Sequence, residues 1–173
     1  MTWMRQGALA IVFFVATAGA AYAQPYELSQ HDVMDAASFT SRDISLFGVK
    51  LGDPEPTAYD RLVQEKIPGV KAEQDAMFVL LLDQRKPVGP MAGVRVADGK
   101  VDLIFINIRF VARTRGLFRR VLNSDSPDEI RKILGQEDEG DENVMGAVLK
   151  YDRQGVVVNY LGKDVNVEFI PSE

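Results

Sequence analysis

The stretch SPDEIRKILG, from Ser126 to Gly135, is the part of the sequence from which the fold is best predicted. Ser126 supplies an N-cap hydroxyl, Pro127 suits the first helical position, and Glu129 completes a capping box. Apolar residues then recur at helical spacing, and Gly135 is typical of a residue that ends a helix. The stretch therefore predicts a short helix of about two turns.

Three β-rich segments follow this helix after an acidic loop predicted from Gln136 to Asn143. Short connectors that contain Gly155 and Gly162 separate them, as in β-hairpins. The predicted strands are Gly146 to Asp152, Val156 to Leu161 and Val165 to Ile170. The C-terminal part of the chain therefore reads as a helix followed by a three-stranded antiparallel meander.

The same pattern occurs earlier in the chain, which indicates an internal repeat. The motif LF-x3-L-x4-P begins at Leu46 and again at Leu117. Downstream, Val101, Leu103 and Phe105 match Val165, Val167 and Phe169. The first copy predicts a helix near Pro56 to Glu65, a Pro-rich loop from Gln84 to Pro90, and strands at Ala76 to Asp83, Ala92 to Val96 and Lys100 to Phe110.

These patterns predict an α+β fold in which two tandem repeats, each a helix plus a three-stranded antiparallel meander, form one sheet with helices on one face. The first repeat covers residues 46–110, and a connector with the second covers 111–173. One small meander buries too little apolar surface to fold alone, so we expect both repeats to share one domain. Residues 24–45 are predicted to be an N-terminal arm.

The first 23 residues have the features of a cleaved secretory signal peptide. Arg5 precedes an uncharged apolar run, and Ala21-Tyr22-Ala23 provides an A-x-A cleavage site. The alternative is a transmembrane anchor, for which the run is shorter than the roughly 20 residues needed to span a bilayer. We therefore expect a periplasmic or secreted protein without a membrane anchor after cleavage.

Composition excludes several functional classes. With 46% hydrophobic and 26% charged residues the chain is an ordinary globular protein, and its net charge of −5 disfavours nucleic-acid binding. It has no Cys and a single His, His31, so neither a common Zn²⁺ site nor a Cys nucleophile can be built. No motif predicts a cofactor, and His31 is expected to face solvent close to the mature N-terminus.

Two charged segments allow a functional and a structural interpretation. The acidic run from Glu137 to Asn143 resembles a hard-cation site in composition, but its spacing differs from that of a Ca²⁺ loop, so a solvated loop is favoured. A basic segment without acids joins the two repeats, and it predicts either an anion-binding patch for an acidic partner or arginines that pair internally or face water. Its arginines are Arg109, Arg113, Arg115, Arg119 and Arg120.

Alternation along the strand from Val101 predicts an exposed interface. Val101, Leu103 and Phe105 are expected on one face, under the helices. The opposite face would then present Ile104, Ile106 and Ile108. An uncovered aliphatic face marks an interface, so either the N-terminal arm or a partner chain is expected to cover it.

The segments GVKLGD, which begins at Gly48, and SPDEIRKILG, which begins at Ser126, each followed by a meander, resemble a family of small periplasmic modules. This family is typified by β-lactamase inhibitory protein and by the small lipoprotein of the outer-membrane β-barrel assembly machine. The resemblance spans roughly Leu46 to Ile170 and implies a protein-binding role. The chain lacks the disulfide cysteines of the inhibitor and the lipidated cysteine of the lipoprotein.

The sequence thus predicts a non-catalytic binding module for another envelope or secreted protein. Two alternatives stay open. The first is a carrier that holds a small apolar ligand between the isoleucine face and the arm. The second is a hydrolase that uses a pair of carboxylates, although no spacing selects two of the 25 acidic residues.

Overall fold

The fold is α+β and is built around one antiparallel sheet. The computed structural model describes residues 28–29, 39–64, 70–73, 77–80 and 90–172. The predicted signal peptide, His31 and the Gln84 to Pro90 loop up to Gly89 lie outside the described residues. The helices are α1 (Glu55–Gln64), α2 (Gly116–Leu122) and α3 (Pro127–Leu134).

Ten strands are described. A two-stranded sheet pairs β1 (Leu28–Ser29) with β2 (Ser45–Leu46). The strands of the larger sheet are β3 (Val70–Glu73), β4 (Met77–Leu80), β5 (Ala92–Ala97), β6 (Lys100–Asn107), β7 (Glu139–Asn143), β8 (Gly146–Tyr151), β9 (Val156–Leu161) and β10 (Asp164–Phe169). Their order is β3-β4-β5-β6-β10-β9-β8-β7, and all neighbours are antiparallel. Each half of the sheet therefore has four strands and not the predicted three, because the two edge strands, β3 and β7, were not predicted.

The C-terminal helix follows the prediction closely. The Ser126 side chain accepts a hydrogen bond from the Glu129 backbone N–H at 3.2 Å, and α3 ends at Gly135, whose φ is +94°. In a capping box, Glu129 would accept a hydrogen bond from the backbone N–H of the N-cap residue, Ser126. Here it accepts from the backbone N–H of Asp125, one residue earlier. The three predicted strands of the C-terminal meander are present as β8, β9 and β10 to within one residue at each end.

The acidic segment is not a loop throughout, and this prediction was wrong. Residues Glu139–Asn143 form the edge strand β7, which pairs with β8. Acidic residues have low strand propensity, but here cations from neighbouring elements offset their charge. Lys150 of β8 contacts Glu139 at 2.7 Å, and Arg131 of α3 contacts Glu142 at 3.1 Å.

The core lies between one face of the sheet and the three helices. Phe118 of α2 packs edge-to-face on Phe169 of β10, with ring centroids 4.8 Å apart, and Phe39 packs on Phe118 at 4.9 Å. Phe39 and Ile44 come from the segment predicted to be an arm, and both are buried in this core. Edge-to-face packing of such rings adds about 0.5–1.5 kcal/mol per pair to the hydrophobic term.

The isoleucine face is the core face, so it is not the predicted exposed interface; of its two expected covers, the N-terminal arm contributes Phe39 and Ile44 to the same cluster, together with the helices. Ile104 and Ile106 are fully buried, in the same cluster as Phe118, and they lie opposite Phe169 and Val167 of β10. The reason is a β-bulge. Between β5 and β6 the register shifts by one residue, so that Asp102 is the extra residue of β6. Strict alternation therefore fails there.

As a result, the predicted faces are exchanged over most of β6. Val101 lies in the core as predicted, but beyond the bulge Leu103 and Phe105 lie on the opposite face. Ile108 is not in a strand at all, because β6 ends at Asn107 and a 3-10 helix covers Ile108–Arg113. The Asn107 side chain caps that helix by accepting from the Arg109 backbone N–H at 3.0 Å.

Candidate functional site

The face of the sheet opposite the helices carries a groove, which we call the open-face groove. It consists of two adjoining cavities of 520 and 430 Å³ that share Asn159, Leu161, Asn166 and Glu168. The lining residues used below are Arg95, Leu103, Phe105, Asp141, Val148, Asn159, Leu161, Asp164, Asn166 and Glu168. The groove thus extends across six strands, from β5 to β7.

Strand register explains why these side chains lie together. Phe105 of β6 is opposite Glu168 of β10, which is opposite Val157 of β9. On the next rung, Asn166 of β10 is opposite Asn159 of β9. Directly opposite residues share a face, so one rung presents apolar, acidic and apolar side chains in order.

A small polar network orients the central carboxylate. The amides of Asn159 and Asn166 both donate to Oε1 of Glu168, at 3.1 and 3.0 Å. Within the described residues no hydrogen bond is made by Oε2 of Glu168. The carboxylate is therefore held in place through one oxygen, while the other is available to a ligand.

Arg95 forms the other polar feature of the groove. It contacts the bulge residue Asp102 through two nitrogens, with Nη2 to Oδ2 at 2.6 Å and Nε to Oδ1 at 3.0 Å. These hydrogen bonds raise the pKa of Arg95 above its ordinary value, and the nearby charge of Glu168 adds to the effect. Bidentate geometry of this kind fixes the guanidinium in orientation.

The apolar part of the groove includes one strongly exposed side chain. Leu161, at the end of β9, is 62% exposed, and it lies next to Gly146 at the start of β8. The adjoining turn between β7 and β8 carries Val144 and Met145, which are 102% and 77% exposed. Large apolar side chains clustered at the surface are characteristic of interaction sites.

The five predicted arginines do not form one patch. Arg109 and Arg113 lie in the 3-10 helix after β6, Arg115 is the N-cap of α2, and Arg109 lines the open-face groove. Arg119 and Arg120 lie in the last turn of α2 and line a different groove of 490 Å³ between α2 and α3. Cations in the last turn of a helix also offset its dipole.

The groove was not predicted from the sequence, because a bulge leaves no mark in an alternating apolar strand and Leu103 and Phe105 were therefore expected on the core face. Helix α2 was not predicted either, although its buried residues recur at helical spacing as Leu117, Phe118, Val121 and Leu122. In β10 the polar residues Asn166 and Glu168 alternate with Val165, Val167 and Phe169, and this polar face lies in the groove.

The described residues bear on three other possibilities: a metal site, a membrane-spanning helix and the predicted ligand carrier. Among the described residues, no group of three or more His, Cys, Asp or Glu side chains is arranged to hold a metal ion. Each described helix is too short or too polar to span a lipid bilayer. The predicted carrier would hold its ligand against the isoleucine face, but Ile104 and Ile106 of that face are buried among other core side chains.

Comparisons with protein-family models, with curated proteins and with solved structures found no match for this chain.

Proposed function

We propose that the chain is an exported, non-catalytic binding module that engages another envelope or secreted protein through the open-face groove. One observation carries this proposal. All three helices contribute buried residues to the core on one face of the sheet, while the opposite face keeps a groove lined by Leu103, Phe105 and Leu161. Apolar side chains in a wide, open groove are better suited to a protein partner than to an enclosed small ligand.

Export is the second part of the proposal, and it rests on the sequence. Arg5, the apolar run after it and the Ala21-Tyr22-Ala23 site have the order of a signal peptide. The absence of cysteine means that the mature protein would depend on packing alone for its stability. The proposed periplasmic or secreted location agrees with the resemblance to small periplasmic binding modules.

A tandem origin is the third part of the proposal, and the topology supports it. From each outer edge towards the middle the strands follow chain order, as β3-β4-β5-β6 and as β7-β8-β9-β10. Pro56 and Pro127 lie at the starts of α1 and α3, which precede the two halves. The two halves differ where the LF-x3-L-x4-P motif begins. In the second half its first residue, Leu117, lies in helix α2, whereas in the first half its first residue, Leu46, is the last residue of strand β2.

Site-specific photo-crosslinking in cells tests the binding face. A benzophenone amino acid would replace Leu161 in the groove, and in a matched control it would replace Asp60, which is exposed on α1. We expect a discrete adduct from position 161 and none from position 60. We also expect Phe105→Ser to abolish the adduct while the circular dichroism spectrum is unchanged. Equal adducts from both positions would contradict the proposal.

A further inference from the structure

The charge of the open-face groove limits what can dock there. Asp141, Asp164 and Glu168 line it, and in the described part of the chain none of them has a basic group within 4.0 Å. The lining has two arginines against these three acids: Arg95, which is held by Asp102, and Arg109, in the 3-10 helix after β6. The lining therefore has an excess of negative charge, which favours a cationic occupant.

Glu168 has the surroundings of a binding carboxylate rather than of a solvated surface acid. It is half-buried between Phe105 and Val157, its direct neighbours on the adjacent strands. Two amides hold Oε1, so Oε2 can accept a charge-assisted hydrogen bond without moving the side chain. A long basic side chain matches this arrangement, because its alkyl stem packs on apolar surface while its head reaches a carboxylate.

The extent of the groove indicates the size of the docked segment. Strands in a sheet are about 4.8 Å apart, so crossing from β5 to β7 takes roughly 24 Å. An extended chain advances about 3.3 Å per residue and covers that distance with about seven residues. A segment of this length can place a basic residue on Glu168 and apolar residues on Phe105 and Leu161.

We propose that the partner docks a segment that combines arginine or lysine with apolar side chains, and that one cationic head binds Oε2 of Glu168. This inference rests on the proposed function and adds the chemistry of the partner. Asn159 and Asn166 then act as positioning residues for the carboxylate, and Phe105 provides the surface for the alkyl stem.

Fluorescence anisotropy with synthetic peptides tests the inference on the full mature chain. The probes are a labelled, capped heptapeptide that alternates leucine and arginine and the same peptide with norleucine in place of arginine. We expect Glu168→Gln to weaken the arginine peptide about tenfold and to leave the norleucine peptide unchanged, since a hydrogen bond to a charged group is lost. The control Asp60→Asn removes the same charge from α1 and is expected to change either affinity less than twofold.

The outcomes separate this inference from the proposed function. If the Glu168→Gln and Asp60→Asn variants bind the arginine peptide equally, or if the arginine peptide does not bind wild-type protein more tightly than the norleucine peptide, the cationic docking is overturned. The crosslink from position 161 would in that case still support the binding face. If the crosslink is absent while the peptide effect is present, the groove binds cations but does not engage a native partner.

Discussion

Gly155 shows how one residue fixes the connection between β8 and β9. It adopts the left-handed conformation with φ +65° at the end of a short 3-10 turn. A Cβ atom there would lie 2.3 Å from the carbonyl oxygen of Ile170 and 2.4 Å from Oγ of Ser41, which is itself buried. The close approach lets the chain near the C-terminus pair with this turn, because Ile170 N–H donates to Gly155 O at 2.9 Å.

Replacing this glycine is therefore expected to cost more than backbone strain alone. A left-handed Ala costs roughly 1–2 kcal/mol, and the clash with backbone atoms at Gly155 adds to it. Gly162 provides the matched control, since its φ is +63° and nothing lies within 4 Å of the added Cβ. Urea unfolding should show a larger loss of free energy for Gly155→Ala than for Gly162→Ala. Equal losses would show that the turn relaxes without cost.

At the scale of elements, Arg131 ties α3 to the edge of the sheet. Its guanidinium contacts Asp128 at 3.0 Å within α3, Glu137 at 2.8 Å before β7, and Glu142 at 3.1 Å within β7. The Glu137 side chain is only 8% exposed, so this pair is screened less than the surface pairs. The arrangement explains why an acidic segment pairs as a strand here.

This pair predicts an acid-sensitive component of stability. Hydrogen bonds from Arg131 lower the pKa of Glu137 below its ordinary value of 4.5. A lowered folded pKa stabilises the native state above pH 4.5, and the contribution is lost as the pH falls through the folded pKa. Urea unfolding from pH 6 to pH 3 should therefore show a shallower acid loss for Glu137→Gln than for wild type.

The control for this measurement is Glu139→Gln. Glu139 pairs with Lys150, but its side chain is 65% exposed, so the pair is solvent-screened and contributes little. We expect its acid profile to follow that of the wild type. An unchanged profile for Glu137→Gln would mean that Arg131 holds β7 through other contacts.

At the scale of the whole molecule, the bulge at Asp102 decides which side of β6 is core and which is groove. With one extra residue in β6, Ile104 and Ile106 join the cluster under the helices, and Phe105 faces the groove. The Arg95 to Asp102 ion pair bridges the two strands at this point. A bulge also increases local twist, which shapes the open face.

Shortening a side chain to alanine should destabilise the protein more on the core face of β6 than on its groove face. Ile104→Ala leaves a cavity in a fully buried site and is expected to cost about 2–5 kcal/mol. Phe105→Ala removes a half-buried side chain from the groove and should cost less than half as much while it weakens partner binding. Thermal unfolding of both variants measures the loss of stability, and the crosslinking assay measures the loss of partner binding. A larger stability loss for Phe105→Ala would contradict the assigned faces.

Local patterns were sufficient for the parts of the fold that depend on neighbours in sequence. The cap at Ser126, the end of α3 at Gly135 and the three C-terminal strands follow from side-chain chemistry and alternation within a few residues, and the structure confirms them. Helix α1, at Glu55–Gln64, also lies within a residue of its predicted span.

Features that depend on distant partners could not be read from local patterns. The acidic strand β7 pairs with β8 and contacts Arg131 of α3 through Glu142, and a bulge in β6 places Phe105 in the open-face groove. Both depend on register between strands, which is a property of paired chains rather than of either strand alone. The sequence alone therefore determined the elements with strong local signals, such as α1, α3 and the three C-terminal strands, because capping and alternation act between near neighbours. Only the tertiary structure decided the edge strand β7 and which side chains remain at the surface to bind, because both depend on strand pairing.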